Sequence, residues 1–427
     1  MEQENLALKA IQKKLIGKKL TYKEIYAIMD EIANDKLGKV LTTYFVASGY
    51  SKGFSDEEIY FLTKAMVETG EKLEFKGIVA DKHSIGGVPG TRATLIVVPI
   101  IAAAGYTIPK SSSRAITTPC GTADAMEVFA NVTFSKEEIY HIVEDVGGCI
   151  VWGGSFKIAP ADDEIIKIEE PLRFESFDKV LVSVMAKKVA FGSNHIVIHL
   201  PYGKNAKLHT EEEAKILEHK FKFLAKKFDV NLECFIQKSE GPAGTGIGPL
   251  LEARDSLMVL EQHEDRPILL EEMALELAGQ ILELCLASSS KENQETIRTY
   301  YKNNMKDWAR DLLVSGDAHR KFLEIVKIQG GDPAVTSGKL KPAQYKAIIK
   351  TDESGIVSQV VNTNITVLAR VLGCPQDKKS GMTIYKRDGD IVKKGEALAT
   401  FYSESKNRLD EAIDSYDMFP IYKFKKS

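Results

Sequence analysis

Net charge is the first thing the sequence lacks. Its 427 residues carry 57 lysines and arginines against 60 aspartates and glutamates, a formal charge of -3, so no global field draws it to a nucleic acid polymer. The short basic runs, Lys13-Lys14 and the tail Lys423-Phe424-Lys425-Lys426, read as solvated faces and ends. Cysteine is scarce too. Cys120, Cys149, Cys234, Cys285 and Cys374 are an odd number, none in a CxxC pair and none beside a histidine, which speaks against zinc and against a disulfide framework. No apolar run is long enough to cross a bilayer, and the opening MEQENLALKAIQKK lacks the apolar centre of a signal peptide. A cytoplasmic, reduced setting with no membrane partner is expected.

What is present is the composition of a globular protein, 44% hydrophobic and 27% charged, at a length that favours two or three domains. Three helix starts carry a capping box, in which a hydroxyl caps a backbone N–H and a glutamate three residues on reaches back: Thr21/Glu24, Ser55/Glu58 and Ser135/Glu138. Residues 1 to about 70 read as all-helical. From about Gly77 short apolar runs alternate with helices. Gly77 to Ala80, Tyr106 to Ile108, Cys149 to Trp152, His195 to Leu200 and Val230 to Ile236 are strand candidates; Ala93 to Ala104, a stretch from Ala123 to Phe129 and Glu211 to Lys227 are helix candidates. Beyond about Gly338 come strands at Gln344 to Lys350 and Ile356 to Asn362, a helix to Leu372 and a hairpin-like run from Gly381 to Phe401. The fold class is therefore α/β plus α+β: a helical domain (1–70, joined by about 162–191), a central α/β domain with a mixed sheet (71–161 and 192–335) and a C-terminal α+β domain (336–427).

Two loops could carry chemistry. Asp81-Lys82-His83-Ser84-Ile85-Gly86-Gly87-Val88-Pro89-Gly90 lies between a strand and a helix, where glycines let backbone N–H groups approach a ligand and the lysine adds positive charge. It lacks the P-loop spacing, and on chemistry alone an anion site and a plain glycine turn fit it equally. Ser111 to Thr122 sets six hydroxyl side chains and Arg114 before a helix N-terminus; that suits an anion, and it also suits a simple N-cap by Thr122. By themselves the charges around Ser183-Val184-Met185-Ala186-Lys187-Lys188 and at Lys204 and Lys207 are ordinary surface charges. Gly241 to Gly248 fits a turn entering the next helix better than a phosphate cradle.

Taken in order, these segments resemble the thymidine phosphorylase and AMP phosphorylase superfamily over nearly the whole chain. The resemblance is carried by DKHSIGG at 81–87, SSRAITTPCGTAD at 112–124, CIVWGG at 149–154, APADD at 159–163, SVMAKK at 183–188, GIGPLLEARDSL at 246–257 and SGMTIYKRDGDIVKKGEAL at 380–398. The SSRAIT form, the tryptophan of CIVWGG and the GIGP segment look like the AMP phosphorylase branch.

The resemblance implies a helical domain that holds the base, an α/β domain that holds phosphate, closure over a cleft, and a homodimer. It implies phosphate contacts from Lys82, Ser84, Thr94, Ser112 and Thr122, and a place for His83 near the glycosidic bond. It matches Gly87, Ser113, Arg114, Ala115, Ile116, Thr117, Thr118, Thr122, Ser183 and Lys207 to nucleotide-binding positions, with Ser183 and Lys187 facing the base from one helix face. No metal or organic cofactor is implied, only inorganic phosphate as co-substrate. The implied reaction is phosphorolysis of a nucleoside 5′-monophosphate to free base and ribose 1,5-bisphosphate.

The sequence departs from the family in three places. The aspartate that AMP phosphorylases use as proton donor, eight residues before the serine of SVMAKK, is Glu175 here. The base-binding arginine of thymidine phosphorylases is Ile168, with Arg173 close by. The chain also starts at the helical region, whereas typical AMP phosphorylases carry a further N-terminal domain tied to higher assembly, so large oligomers are not expected. Rival expectations are a pyrimidine-nucleoside phosphorylase, an anthranilate-type phosphoribosyltransferase working through pyrophosphate and magnesium, and a carrier suggested by Gly389 to Gly395. That last segment looks like half a lipoyl domain but lacks its flanked acceptor lysine.

Overall fold

Four helices open the chain in the computed structural model, which describes residues 2–155, 157–169 and 177–425: α1 (Glu2–Leu15), α2 (Tyr22–Ala33), α3 (Gly38–Lys52) and α4 (Asp56–Glu68). The capping boxes of α2 and α4 are both closed, the Thr21 and Ser55 hydroxyls accepting N–H groups of Glu24 and Glu58 while those carboxylates accept in return. Next come β1 (Ala80–Ser84), α5 (Thr94–Ala103), β2 (Ile108–Ser112), α6 (Thr122–Met126), α7 (Lys136–Val146), β3 (Gly148–Trp152), α8 (Pro160–Glu169), α9 (Phe177–Ala190), β4 (His195–Tyr202), α10 (Glu211–Lys227) and β5 (Asn231–Lys238). The third box, Ser135/Glu138, starts α7, and Gly147 ends it in the left-handed conformation at φ 79°.

The remainder is β6 (Gly246–Ile247), α11 (Pro249–Leu260), α12 (Ile268–Ala287), α13 (Lys291–Tyr301), α14 (Met305–Val314), α15 (Asp317–Ile328), β7 (Tyr345–Lys350), β8 (Gly355–Val360), α16 (Asn362–Leu372), β9 (Gly381–Ile384), β10 (Ile391–Val392), β11 (Ala397–Ser403), α17 (Lys406–Asp414) and β12 (Tyr422–Lys425). Asn362, expected at the end of a strand, is instead the first residue of α16. The expected hairpin is more divided: β9 and β11 pair with each other, while β10 pairs with β8.

The chain divides into two compact units. The first comprises Met1–Asp81, Gly153–Ile196 and Lys215–Leu232. In it α2 buries Ile25, Ile28, Met29 and Ile32, the i, i+3, i+4, i+7 stripe of an amphipathic helix, and packs against α1, α4 and α8. It also buries an ion pair: Lys14 Nζ lies 2.8 Å from Glu58, both side chains 3% exposed, and Glu58 also accepts the Leu20 N–H. Removing one partner of such a pair would leave a buried charge, at a cost of about 3–5 kcal/mol.

The second unit comprises Lys82–Trp152, Val197–Ala214 and Glu233–Ser427. Its central helix is α5, whose sequence TLIVVPIIAA is apolar on every side and is accordingly buried from Thr94 to Ala102, against α11, α12, α15 and β3. That packing fixes Thr94 at the start of the helix. The later residues of β1, β4 and β5 belong to this unit, in the sheet order β1-β4-β5, and β2 and β3 form a separate parallel pair. The C-terminal part holds two further sheets, β6-β9-β11-β7 and β10-β8-β12, around a core that includes Ile247, Val357, Leu368 and Phe401.

Candidate active site

Lys82, His83 and Ser84 sit on β1 itself, not in the loop after it. Lys82 is 4% exposed, and its Nζ donates to the Thr94 hydroxyl at 3.2 Å. Gly86 and Gly87 then turn the chain through φ of 63° and 87°. A β-carbon on Gly87 would stand 2.9 Å from Cγ of Lys207, so the glycine is needed both for its left-handed backbone and for the close approach of the Lys207 stem. Two expected nucleotide-binding positions, Gly87 and Lys207, are therefore adjacent.

Thr122 opens α6, and its hydroxyl accepts a hydrogen bond from Arg92 Nη1 at 3.3 Å; Arg92 Nε in turn donates to the buried Glu252 at 2.6 Å. Arg92 and Thr94 are two residues apart, so one short segment reaches both Lys82 and Thr122. Ser112 ends β2 with its hydroxyl donating to the Val151 carbonyl at 3.0 Å.

Between Ser112 and Thr122 the loop folds back on α6. At Gly121 a β-carbon would lie 2.4 Å from backbone atoms of Ser113 and Arg114, which only hydrogen permits. Asp124 organises the turn, accepting the N–H groups of Ala115 at 2.7 Å and Gly121 at 2.9 Å. Arg114, expected among the nucleotide contacts, is engaged by carboxylates: its two terminal nitrogens donate to Glu127 at 2.8 and 2.7 Å, one also reaches Asp124 at 3.2 Å, and the guanidinium lies 4.9 Å from the Trp152 ring centroid. The hydrogen bonds from Arg114 hold the Glu127 carboxyl down to about 2, against the opposing effect of burial and with help from Lys378. Thr118 donates to the Cys120 carbonyl and Arg370 to the Ile116 carbonyl. Ser113, Ile116 and Thr117 are exposed.

The first unit contains a second cluster. Ser183 and Lys187, one turn apart on α9, both bind Asp162 Oδ2 of α8 at 2.7 Å. Burial pushes the Asp162 carboxyl up, but Lys187 and Ser183 outweigh it and hold it below the ordinary aspartate value. The other oxygen, Oδ1, is buried without a hydrogen-bond partner. Asp81, the first residue of DKHSIGG, is wholly buried and pairs with Lys188 at 2.7 Å and with the Ser193 hydroxyl at 3.1 Å. Glu175 and Arg173 lie outside the described residues. Among the described residues no group of three or more His, Cys, Asp or Glu is arranged to hold a metal ion.

Residues 8–70 match the helical bundle domain of the glycosyl transferase family, 76–226 that family's a/b domain, and 356–418 the pyrimidine nucleoside phosphorylase C-terminal domain. The chain is 42% identical to the AMP phosphorylase of Methanocaldococcus jannaschii, over 95% of this chain and 78% of that protein. With AMP phosphorylase 1 of Archaeoglobus fulgidus the identity is 41%, over 96% and 78%. The chain belongs to the thymidine phosphorylase and AMP phosphorylase superfamily. The anthranilate phosphoribosyltransferase of Thermus thermophilus shares the fold at a TM-score of 0.60 with 17% identity, over 75% of this chain and 99% of that one.

Within this phosphorylase scaffold the glycine-rich segment before α11 runs through the short strand β6 into the helix. Thr245 and Gly246 donate their N–H groups to Asp255 at 2.7 Å each, and Gly248 donates to Glu252 at 3.1 Å. Glu252 was visible only within GIGPLLEARDSL, and three residues that sequence reasoning did not single out also bear on the site: Arg92, His199 and Gln237. Their partners lie 30 to 160 positions away, and no local pattern marks them. Asp162 was visible only as part of APADD.

Proposed function

We propose that this chain cleaves the N-glycosidic bond of a nucleoside 5′-monophosphate with inorganic phosphate, giving free base and ribose 1,5-bisphosphate. The observation that carries the proposal is the 92–94 segment, which ties Lys82 to Thr94 and Arg92 to Thr122. Each of these two threonine hydroxyls accepts from a cation and keeps its own proton for an incoming anion. Phosphate so placed lies beside a buried ammonium, where low dielectric strengthens the attraction.

The chemistry then needs positioning more than covalent help. As the C1′–N bond breaks, its electron pair passes to the base and positive charge grows on the sugar; a phosphate oxygen held by Lys82, Thr94 and Thr122 closes on C1′. Glu175, by its family position, supplies the proton that neutralises the departing base, and His83 adjoins the sugar. Ser183 and Lys187, locked by Asp162, read the base. Lys207, beside Gly87, and the exposed hydroxyls of Ser113 and Thr117 bind the 5′-phosphate. Inorganic phosphate is the only co-substrate proposed, with no cofactor, and a cytoplasmic homodimer is the proposed setting.

A pyrimidine-nucleoside phosphorylase is the second reading, favoured by the match of residues 356–418. Free base released from AMP, CMP and UMP, compared with adenosine, cytidine, uridine and thymidine at equal phosphate, separates the two. The nucleotide reading predicts a preference for the monophosphates of about 10²–10⁴ in kcat/KM, the worth of two or three charge-assisted hydrogen bonds; equal or better rates on the nucleosides overturn it. A phosphoribosyltransferase would instead need pyrophosphate and magnesium, so base release that persists in a chelator excludes it.

A further inference from the structure

The sheet order β1-β4-β5 sets Ser84, His199 and Gln237 on three neighbouring strands. Their side chains form one line: Ser84 Oγ is 3.1 Å from His199 Nδ1, and His199 Nε2 is 3.1 Å from Gln237 Oε1. The imidazole is 2% exposed and stacks on Phe235, with centroids 5.3 Å apart and planes at 23°. Its own carbonyl accepts the Ile85 N–H at 2.9 Å, which anchors the residue after Ser84. This histidine cannot swing away, and it touches a residue proposed to bind phosphate.

Burial, reinforced by the neighbouring charge of Lys82, pushes the His199 pKa down to about 3, so the ring is neutral at physiological pH. A neutral imidazole has one N–H to share between two contacts. With the N–H on Nε2, it donates to Gln237 Oε1, Nδ1 accepts from Ser84, and the one proton of the Ser84 hydroxyl is engaged inside the protein. With the Gln237 amide turned over, its NH₂ donates to Nε2 and the Nδ1–H donates to Ser84 Oγ. The Ser84 proton is then available to an anion. Apart from the exchange of Gln237 Oε1 and Nε2, the heavy atoms stay in place in both arrangements.

We infer that His199 is a positioning residue: bridging Gln237 and Ser84, it donates to Ser84 in the phosphate complex and so turns the Ser84 hydroxyl into a donor toward phosphate. This rests on the reading of Ser84 as a phosphate contact. Phosphate offers mostly acceptors at neutral pH and therefore selects the Nδ1–H form. A protonated ring would donate at both nitrogens and remove the choice.

The test is long-range ¹H–¹⁵N NMR of ¹⁵N-histidine-labelled protein with saturating inorganic phosphate, the His199 signals being assigned by their loss in His199→Phe. The expected result is the Nδ1–H tautomer. An Nε2–H or doubly protonated ring with phosphate bound, as judged by shifts of other signals, overturns the inference and leaves the phosphate reading intact. Absence of phosphate binding by the wild-type protein, in NMR and in calorimetry, overturns both. Kinetics give a second readout. His199→Phe, which keeps the stacking on Phe235, and Gln237→Met should each raise the KM for phosphate by roughly ten- to a hundredfold, the loss of one charge-assisted hydrogen bond. The KM for the nucleotide should change less than about twofold, and Ser84→Ala should add little in the His199→Phe background. Equal damage to both KM values, or full additivity, means a merely structural histidine.

Discussion

Lys82→Met removes the buried ammonium of β1 while keeping an unbranched side chain of similar reach. At about 4 Å and an effective dielectric near 20, a unit charge on phosphate gains roughly 4 kcal/mol from such a partner. Allowing for partial desolvation of the phosphate leaves about 3 kcal/mol, comparable to losing a preorganised donor at a site of charge, or roughly a hundredfold in kcat/KM for phosphate. The assay is release of free base at fixed nucleotide and varied phosphate, with thermal unfolding and circular dichroism to confirm the fold. Phosphate should raise the unfolding temperature of the wild-type protein but not of the variant. An internal check comes from His199, whose depressed pKa depends on burial first and on Lys82 second. In the variant it should titrate above its original value of about 3. A kcat/KM for phosphate within about threefold of wild type would refute the assignment of Lys82 to the phosphate site.

Glu175→Gln keeps the shape of the side chain but cannot donate as an acid, so turnover should fall by roughly 10²–10⁴ with little change in nucleotide binding; a fully active variant would move the proton donor to His83 or to Asp178, three residues on in the first turn of α9 and paired with Lys220. Lys207→Ala should depress kcat/KM for nucleotides and spare free nucleosides, and equal losses on both would separate Lys207 from the 5′-phosphate. The Arg114–Glu127 pair gives a pH signature. Because Glu127 is held to about 2 from an ordinary 4.5, its contribution to stability is fully present above pH 4.5 and is lost as the pH falls through 2. Glu127→Gln should flatten the stability profile across that window and destabilise the protein at pH 7 by about 1 kcal/mol, discounted because the pair is partly solvated; an unchanged profile would show that the pair contributes nothing.

What could be read from the sequence was what is encoded locally. The three capping boxes and the span Glu211–Lys227 are set by neighbouring residues, and the structure has them where the pattern put them. The strand ends that carry the candidate site were misjudged for a common reason. The apolar pattern stops at Ala80 and Ile108, whereas β1 runs on through Asp81-Lys82-His83-Ser84 and β2 through Pro109-Lys110-Ser111-Ser112. These residues are polar, and their strand conformation comes from pairing with distant strands, which hydropathy does not register. The same holds within the site. Lys82, Thr94 and Thr122 were accessible through resemblance, but the arginine that joins Thr122 to Glu252 and the histidine that bridges Ser84 and Gln237 depend on contacts made only in the folded chain. Arg114 was accessible through resemblance as well. Its place in SSRAIT marked it as a nucleotide contact, and what the motif does not register is the pairing of its charge with Glu127 and Asp124.

The central claim is that phosphate breaks a nucleotide at its glycosidic bond, and ³¹P NMR of the protein incubated with AMP, CMP or UMP and inorganic phosphate tests it most directly. The account predicts that for at least one of the three, inorganic phosphate is consumed in equal measure with release of free base, and that two phosphorus signals arise on a single pentose, one at C1 and one at C5. Ribose 5-phosphate formed without consumption of phosphate would mean hydrolysis, nucleoside plus phosphate would mean attack at the ester, and either result would contradict the account.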